Sequence, residues 1–189
     1  SPYQEIPNTQ YWNLASGTKI AYHRLSAQGA AKNYPILYIH GGPGGAISDG
    51  TLSMLKPLTE EAFTIYAYDQ IGSGSSTRLE NIEEYTAARH CSDLEEIVKK
   101  LEAEKVILIG QSWGSVLAIL FAAKNPDRVA KIVLTGPGPI FPLNRSLAKL
   151  SPPDCLNIQE PIFSNQQANK AVYTLREKCI DTYAYIFGK

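Results

Sequence analysis

The sequence predicts an α/β domain built on a mainly parallel sheet. Continuous apolar runs at residues 35–39, 63–68, 105–109 and 129–135 are typical of strands that are buried on both faces. Segments with helical character separate these runs, and parallel neighbours require such crossovers, so we expect helices on both faces of the sheet. With 189 residues, of which 44% are hydrophobic, the chain can bury one sizeable core.

The remaining elements follow from the same periodicities. Residues 11–14 and 18–25 alternate apolar and polar side chains, which predicts an antiparallel hairpin at an edge of the sheet. Helices are expected at about 51–60, along the amphipathic segment 81–104, and at 115–124.

The pattern changes after residue 139. No buried strand run follows, and helices are expected around 143–150 and 166–187. We therefore predict an N-terminal core over residues 1–139 and a helical cap over residues 140–189, with the last strands of the sheet missing from this chain.

The composition disfavours several classes of partner. Lys plus Arg and Asp plus Glu number 18 each, so no net field attracts nucleic acid, and no apolar stretch reaches the roughly 20 residues of a membrane span. The cysteines at 91, 155 and 179 lack the paired spacing of a zinc or redox motif, and we expect neither a metal nor a cofactor. Two alternatives stay open for Cys155 and Cys179: a disulfide if the protein is exported, or two reduced thiols if it is not. The cytoplasm is the favoured compartment.

The segment Gly110-Gln111-Ser112-Trp113-Gly114 lies between a predicted strand and a predicted helix. A strand that turns sharply into a helix forces the central serine into a strained conformation, and flanking glycines avoid Cβ collisions. The Ser112 hydroxyl would then stand exposed as a nucleophile, and the backbone N–H of Trp113 would stabilise an oxyanion beside it. A chance G-x-S-x-G match is the competing interpretation.

A glycine-rich loop from His40 to Gly45 follows the predicted strand at 35–39. Such a loop lets backbone N–H groups approach a ligand closely, so we take Gly42 as the second oxyanion donor. Substrate-binding positions are then expected at Gly41, Gly44 and Gly45, with His40 as structural support. A plain Gly-Pro turn and a phosphate cradle are the alternatives, but G-x-G-x-x-G and Gly-Lys-Ser/Thr patterns are both missing here.

Asp69 opens a third loop, residues 69–75, after the predicted strand at 63–68. Its carboxylate is expected to organise backbone N–H groups rather than to perform catalysis. This loop, the His40 loop and the Ser112 segment each follow the carboxyl end of a predicted parallel strand, so we expect them on one rim of the sheet. Ligands of open α/β sheets bind at this rim.

The three loops carry the sequences HGGPGG, DQxGxGxS and GQSWGS, and NPDRV follows at residues 125–129. This combination resembles the α/β-hydrolase fold and, within it, the proline iminopeptidase group of serine peptidases. The resemblance covers residues 34–139 and implies hydrolysis of an N-terminal residue, preferably proline, from a small peptide or arylamide. Ser112 would be acylated, and the N–H groups of Gly42 and Trp113 would hold the oxyanion.

The partners that would activate Ser112 are not visible in the sequence. In α/β-hydrolases the acid and then the histidine follow the nucleophile, whereas the histidines at 23, 40 and 90 all precede it. His23 and His90 are expected to be structural. Because a serine hydroxyl without a base is a weak nucleophile, we expect Asp and His from a C-terminal fragment of the same protein, which would also cover the edge of the strand at 129–135.

Three functions stay open at this level. The first is a proline iminopeptidase-like serine hydrolase acting on small peptides, and the second is an esterase or amidase on the same fold. The third is a non-catalytic, hydrolase-like binding module. An intact elbow argues against the third, because a strained serine has no evident use once catalysis is lost.

Overall fold

The computed structural model describes residues 6–137. The predicted cap at 140–189 and the cysteines at 155 and 179 lie outside this range. None of the helices in this range combines the length and the apolar character that a membrane span requires. The described elements are, in order, β1 (Gln10–Asn13), β2 (Lys19–Leu25), β3 (Ile36–Ile39), α1 (Asp49–Leu55), α2 (Pro57–Glu60), β4 (Ile65–Tyr68), α3 (Ala87–Lys100), β5 (Val106–Gln111), α4 (Trp113–Lys124) and β6 (Val129–Thr135).

The described strands form one sheet in the order β1-β2-β4-β3-β5-β6. β1 pairs antiparallel with β2, and β2 with β4, whereas β4, β3, β5 and β6 run parallel to one another. The predicted parallel sheet and its N-terminal edge hairpin are confirmed. Because β3 lies between β4 and β5, the loops that follow these three strands meet at one end of the sheet.

Apolar layers cover both faces of the sheet. Successive strand residues point to opposite faces, so neighbouring side chains of β3 enter different layers. Leu37 packs in a cluster with Leu94 of α3 and Leu117 of α4. Tyr38 belongs to a second cluster that contains Leu55 of α1. The expected arrangement of helices on both faces is therefore confirmed.

The helix predicted over 81–104 is shorter than expected. Asn81 instead caps a single 3-10 turn, accepting through its side-chain oxygen from a backbone N–H two residues on at 3.0 Å. Thr86 then starts α3 as its N-cap, accepting from the backbone N–H three residues on at 3.1 Å. The chain therefore begins two separate helical segments. Each cap accepts from a backbone N–H that would bond to a carbonyl of the preceding turn if one helix ran through the whole segment.

The single helix expected at 51–60 is two short helices, α1 and α2. Pro57 has no backbone N–H to continue the first helix and is well suited to begin the next. Ser48 caps α1 and moves its start earlier, since its hydroxyl accepts from the N–H of Thr51 at 3.1 Å. The strand expected from residue 63 begins at Ile65.

β6 is the last strand of the described sheet. Among residues 6–137 it pairs on one side, with β5, and each of its residues is either partly buried or exposed. Val133 is 40% exposed, in contrast to the fully buried strand β3.

Candidate active site

Ser112 forms a sharp turn between β5 and α4. Its backbone has φ +50° and ψ −115°, a combination that few residues other than glycine adopt, and the residue is exposed. The carbonyl of Ser112 accepts from the N–H of Ser115 at 2.9 Å. The hydroxyl group is therefore presented at the end of the sheet by a backbone that hydrogen bonds hold in place.

The two glycines of the elbow permit very close approach of three elements. A Cβ on Gly110 would lie 2.5 Å from the carbonyl oxygen of Gly114 and 2.6 Å from the Cα of Ser115. A Cβ on Gly114 would collide with the carbonyl oxygen of Ile39, at the end of β3. The first turn of α4 thus packs directly on β3, which brings Ser112 to the loop that follows this strand.

That loop passes beside the serine. A Cβ on Gly41 would lie 3.2 Å from the Cβ of Ser112. Gly42 has φ +132°, and a Cβ there would lie 2.6 Å from the backbone nitrogen of Gly44, so only glycine fits. Within residues 6–137, the N–H of Gly42 has no backbone acceptor. Gly45 completes the loop, since its Cβ position lies 2.5 Å from the carbonyl oxygen of Gly41.

Trp113 is the first residue of α4. Its backbone N–H is one of the four at a helix N-terminus that find no acceptor within the helix. The structure thus places this N–H directly after the serine, at the positive end of the helix dipole.

His40 is buried at the start of the glycine-rich loop, and both of its ring nitrogens have partners. Nε2 accepts from the backbone N–H of Gln70 at 3.0 Å, and Nδ1 lies 2.7 Å from the carbonyl oxygen of Gly41. This pattern assigns the neutral tautomer with the proton on Nδ1. Burial lowers the pKa of His40, which favours the same neutral form. Its ring therefore holds the loop through Gly41.

Asp69 lies at the end of β4 and is 1% exposed. Its carboxylate accepts from the backbone N–H of Ile47 at 2.7 Å and from that of Ser75 at 2.9 Å. Gly74 packs so closely on the carboxylate that a Cβ would collide with it. Asp69 thus joins the segment that leads into α1 to its own loop, residues 69–75.

Gln70 is a further residue of this rim, and it was not predicted from the sequence. It is 2% exposed, and its Nε2 donates to the carbonyl oxygen of His40 at 2.8 Å. Its Oε1 accepts from the indole Nε1–H of Trp113 at 3.1 Å. The available signal was its position two residues after a buried strand, on the ligand-binding rim, where a buried polar side chain needs hydrogen-bond partners.

The other two described histidines lie in secondary-structure elements. His23 is buried in β2. His90 is buried in α3, where its ring meets the ring of Trp113 edge-on, with 5.9 Å between ring centroids. Burial, followed by the charges of His40 and Arg89, lowers the pKa of His90 to about 4. Both packing and pKa make His90 a neutral support behind the elbow near pH 7.

A family model for the alpha/beta hydrolase fold matches residues 34–169. The chain belongs to this family. It is 36% identical over 124 residues to a putative proline iminopeptidase of Mycoplasma genitalium. This alignment covers 66% of this chain and 38% of the relative. It is also 34% identical over 107 residues to a haloalkane dehalogenase of Mycolicibacterium paratuberculosis, covering 57% of this chain and 35% of the relative. Relatives that are named for different reactions are therefore similar to this chain.

Among solved structures, a probable hydrolytic enzyme of Pseudomonas aeruginosa PAO1 matches with a TM-score of 0.62 and 23% identity. The match covers 72% of this chain and 43% of the other, and it shows a shared fold. The chain spans less than half the length of each of these three relatives.

Proposed function

We propose that Ser112 is the nucleophile of a serine hydrolase that removes an N-terminal residue, preferably proline, from small peptides. The proposal rests on the conformation of Ser112. The residue is exposed, its φ is +50°, and the two glycines of its turn, Gly110 and Gly114, admit no Cβ. Such a strained serine at the end of a parallel strand is the nucleophile elbow of this family. Similarity to a putative proline iminopeptidase supports the narrower choice of substrate.

The reaction would proceed through an acyl-serine. Ser112 Oγ attacks the carbonyl carbon of the N-terminal residue, and its proton passes to a base. The N–H groups of Gly42 and Trp113 stabilise the oxyanion. The C–N bond then breaks, the amine leaves with the proton, and water hydrolyses the ester in a second step of the same kind. Gly41, Gly44 and Gly45 line the approach of the substrate.

We propose that the base and its acid partner come from outside residues 6–137. Both ring nitrogens of His40 are already engaged, Nδ1 with the carbonyl oxygen of Gly41 and Nε2 with the backbone N–H of Gln70. His23 and His90 are buried in β2 and α3. We assign the Asp and His to a C-terminal fragment of the same protein. The division into a core at 1–139 and a cap at 140–189 is part of the same proposal.

A substrate panel on the full-length protein tests the function. Pro-, Ala- and Leu-arylamides are compared with short-chain esters, and Ser112→Ala serves as the matched control. We expect the Pro-arylamide to be the best amide and the variant to lose all turnover. Ester turnover without arylamide turnover would reject the peptidase assignment in favour of an esterase. No turnover of either class would favour a binding module.

A further inference from the structure

We propose that Gln70 is a positioning residue that aligns both N–H donors of the oxyanion hole, an inference that rests on the proposed function of Ser112. Gln70 is the one described side chain that hydrogen-bonds both to the start of the glycine-rich loop and to the residue after the serine. The hydrogen bonds of its side chain go to His40 and Trp113 and not to Ser112, so it would act through these two residues.

The partners of Gln70 fix the orientation of its amide. The indole of Trp113 is a donor only, so the atom facing it is the Gln70 oxygen. The carbonyl of His40 is an acceptor only, so the atom facing it is the Gln70 nitrogen. The two contacts cannot be exchanged, and the carboxamide therefore sets one relative placement of the loop and the elbow.

The link to Gly42 passes through two peptide groups. The carbonyl of His40, which accepts from Gln70 Nε2, belongs to the peptide that begins the glycine-rich loop. The carbonyl of Gly41, which accepts from His40 Nδ1, belongs to the peptide whose N–H is that of Gly42. In a planar trans peptide the C=O and N–H point in opposite directions, so holding the carbonyl of Gly41 aims the N–H of Gly42 away from the His40 ring.

The link to the second donor is more direct. Trp113 carries the indole that donates to Gln70, and its own backbone N–H is the other oxyanion donor. Its ring is fixed on a second side by the edge-on contact with His90. Loss of the Gln70 contact would free the indole on one side and loosen the first residue of α4.

Catalysis depends on where these donors point, whereas binding of the uncleaved substrate depends on them less. We expect Gln70→Leu to lower kcat about 10-fold to 100-fold, the range typical of a misaligned catalytic group, and to change KM less than about 3-fold. Gln70→Glu keeps an oxygen for Trp113 but turns the donor to His40 into an acceptor, and should show the same kcat effect. Gln10→Leu is the matched control, because Gln10 accepts a hydrogen bond from Tyr22 on the edge hairpin, away from the rim.

A readout without catalysis uses the two tryptophans of the sequence, Trp12 and Trp113. In full-length protein with 15N-labelled tryptophan, Trp113→Phe and Trp12→Phe each identify one indole N–H signal by its disappearance. Gln70→Leu should shift the Trp113 indole signal and speed its exchange with solvent, and leave Trp12 unchanged.

The outcomes separate the inference from the function on which it rests. Kinetics are measured on the best substrate, ester or arylamide, with folded variants. An unchanged Trp113 indole, or a shifted indole with wild-type kcat, would overturn the positioning role. So would a rise in KM that lowers kcat/KM by the same factor while kcat is retained. A wild-type protein that turns over no substrate would refute the proposed function itself, while the indole signal would still report the contact.

Discussion

The backbone N–H of Ser112 donates to the carbonyl oxygen of Thr135 across 3.0 Å. The elbow is therefore held by the neighbouring strand β6 as well as by its own helix. Thr135 also donates through its hydroxyl to the carbonyl oxygen of Gly110 at 3.2 Å, and Ser115 donates to the same oxygen at 2.8 Å. A strained residue persists only where its surroundings over-determine its conformation, and these bonds supply that constraint.

The strain at residue 112 is measurable with two variants that both remove the hydroxyl. Ser112→Gly can adopt φ +50° without a steric penalty, whereas Ser112→Ala cannot. We expect Ser112→Gly to have a free energy of unfolding about 1 kcal/mol above that of Ser112→Ala. Urea unfolding at pH 7 measures the difference. Equal stabilities would show that the elbow is not strained.

The close packing of α4 on β3 predicts a large cost for one methyl group. Gly114→Ala places a Cβ against the carbonyl oxygen of Ile39, which belongs to a central strand and cannot move aside. We expect a loss of about 3 kcal/mol or more in the free energy of unfolding. Gly50→Ala in α1 is the control, because its Cβ position meets only the hydroxyl of Ser48 at 3.6 Å. That variant should be neutral or more stable by up to about 1 kcal/mol.

Asp69 offers a test of a buried carboxylate that organises backbone groups. Asp69→Asn keeps the shape but turns one acceptor into an NH2 group, which would face the N–H of Ile47 or of Ser75. We expect the free energy of unfolding to fall by about 1–3 kcal/mol. Asp49→Asn, an exposed substitution in the first turn of α1, should cost less than about 1 kcal/mol. Similar losses in the two variants would contradict the role given to Asp69.

The lowered pKa of His90 predicts that the protein loses stability in mild acid. Burial lowers its pKa from 6.5 to about 4, so the unfolded chain binds this proton more tightly than the folded protein. The stabilisation is present above pH 6.5 and is lost as the pH falls toward 4, which amounts to about 2 kcal/mol between pH 7 and pH 5. His40, with its lowered pKa, adds a change of the same sign.

His90→Phe separates the two histidines. The phenyl ring keeps an aromatic edge toward Trp113 and cannot titrate. The difference in unfolding free energy between pH 7 and pH 5 is measured in urea. It should be smaller in this variant than in the wild-type protein by about 2 kcal/mol, the amount attributed to His90. The same pH dependence in both proteins would assign the effect to other groups.

The sequence was sufficient for the architecture because its signals are local and repeated. Four apolar runs and the turns after them predicted the parallel sheet and the shared rim, and Gly110 to Gly114 predicted the elbow. Helix ends were harder, since Asn81 and Thr86 both suit a cap and only tertiary packing decides how much helix lies between them. Gln70 could not be recognised from periodicity, because its role depends on His40 and Trp113, which are distant in sequence.

Covalent labelling of Ser112 tests whether the elbow carries a working nucleophile. The full-length protein is treated with a fluorophosphonate at pH 7, and intact mass and peptide mapping locate the adduct; Ser112→Ala is treated in parallel. We expect one adduct per chain, on Ser112, and none in the variant. A folded wild-type protein that acquires no adduct at Ser112, or that is labelled equally in the variant, would contradict the assignment of Ser112 as the nucleophile.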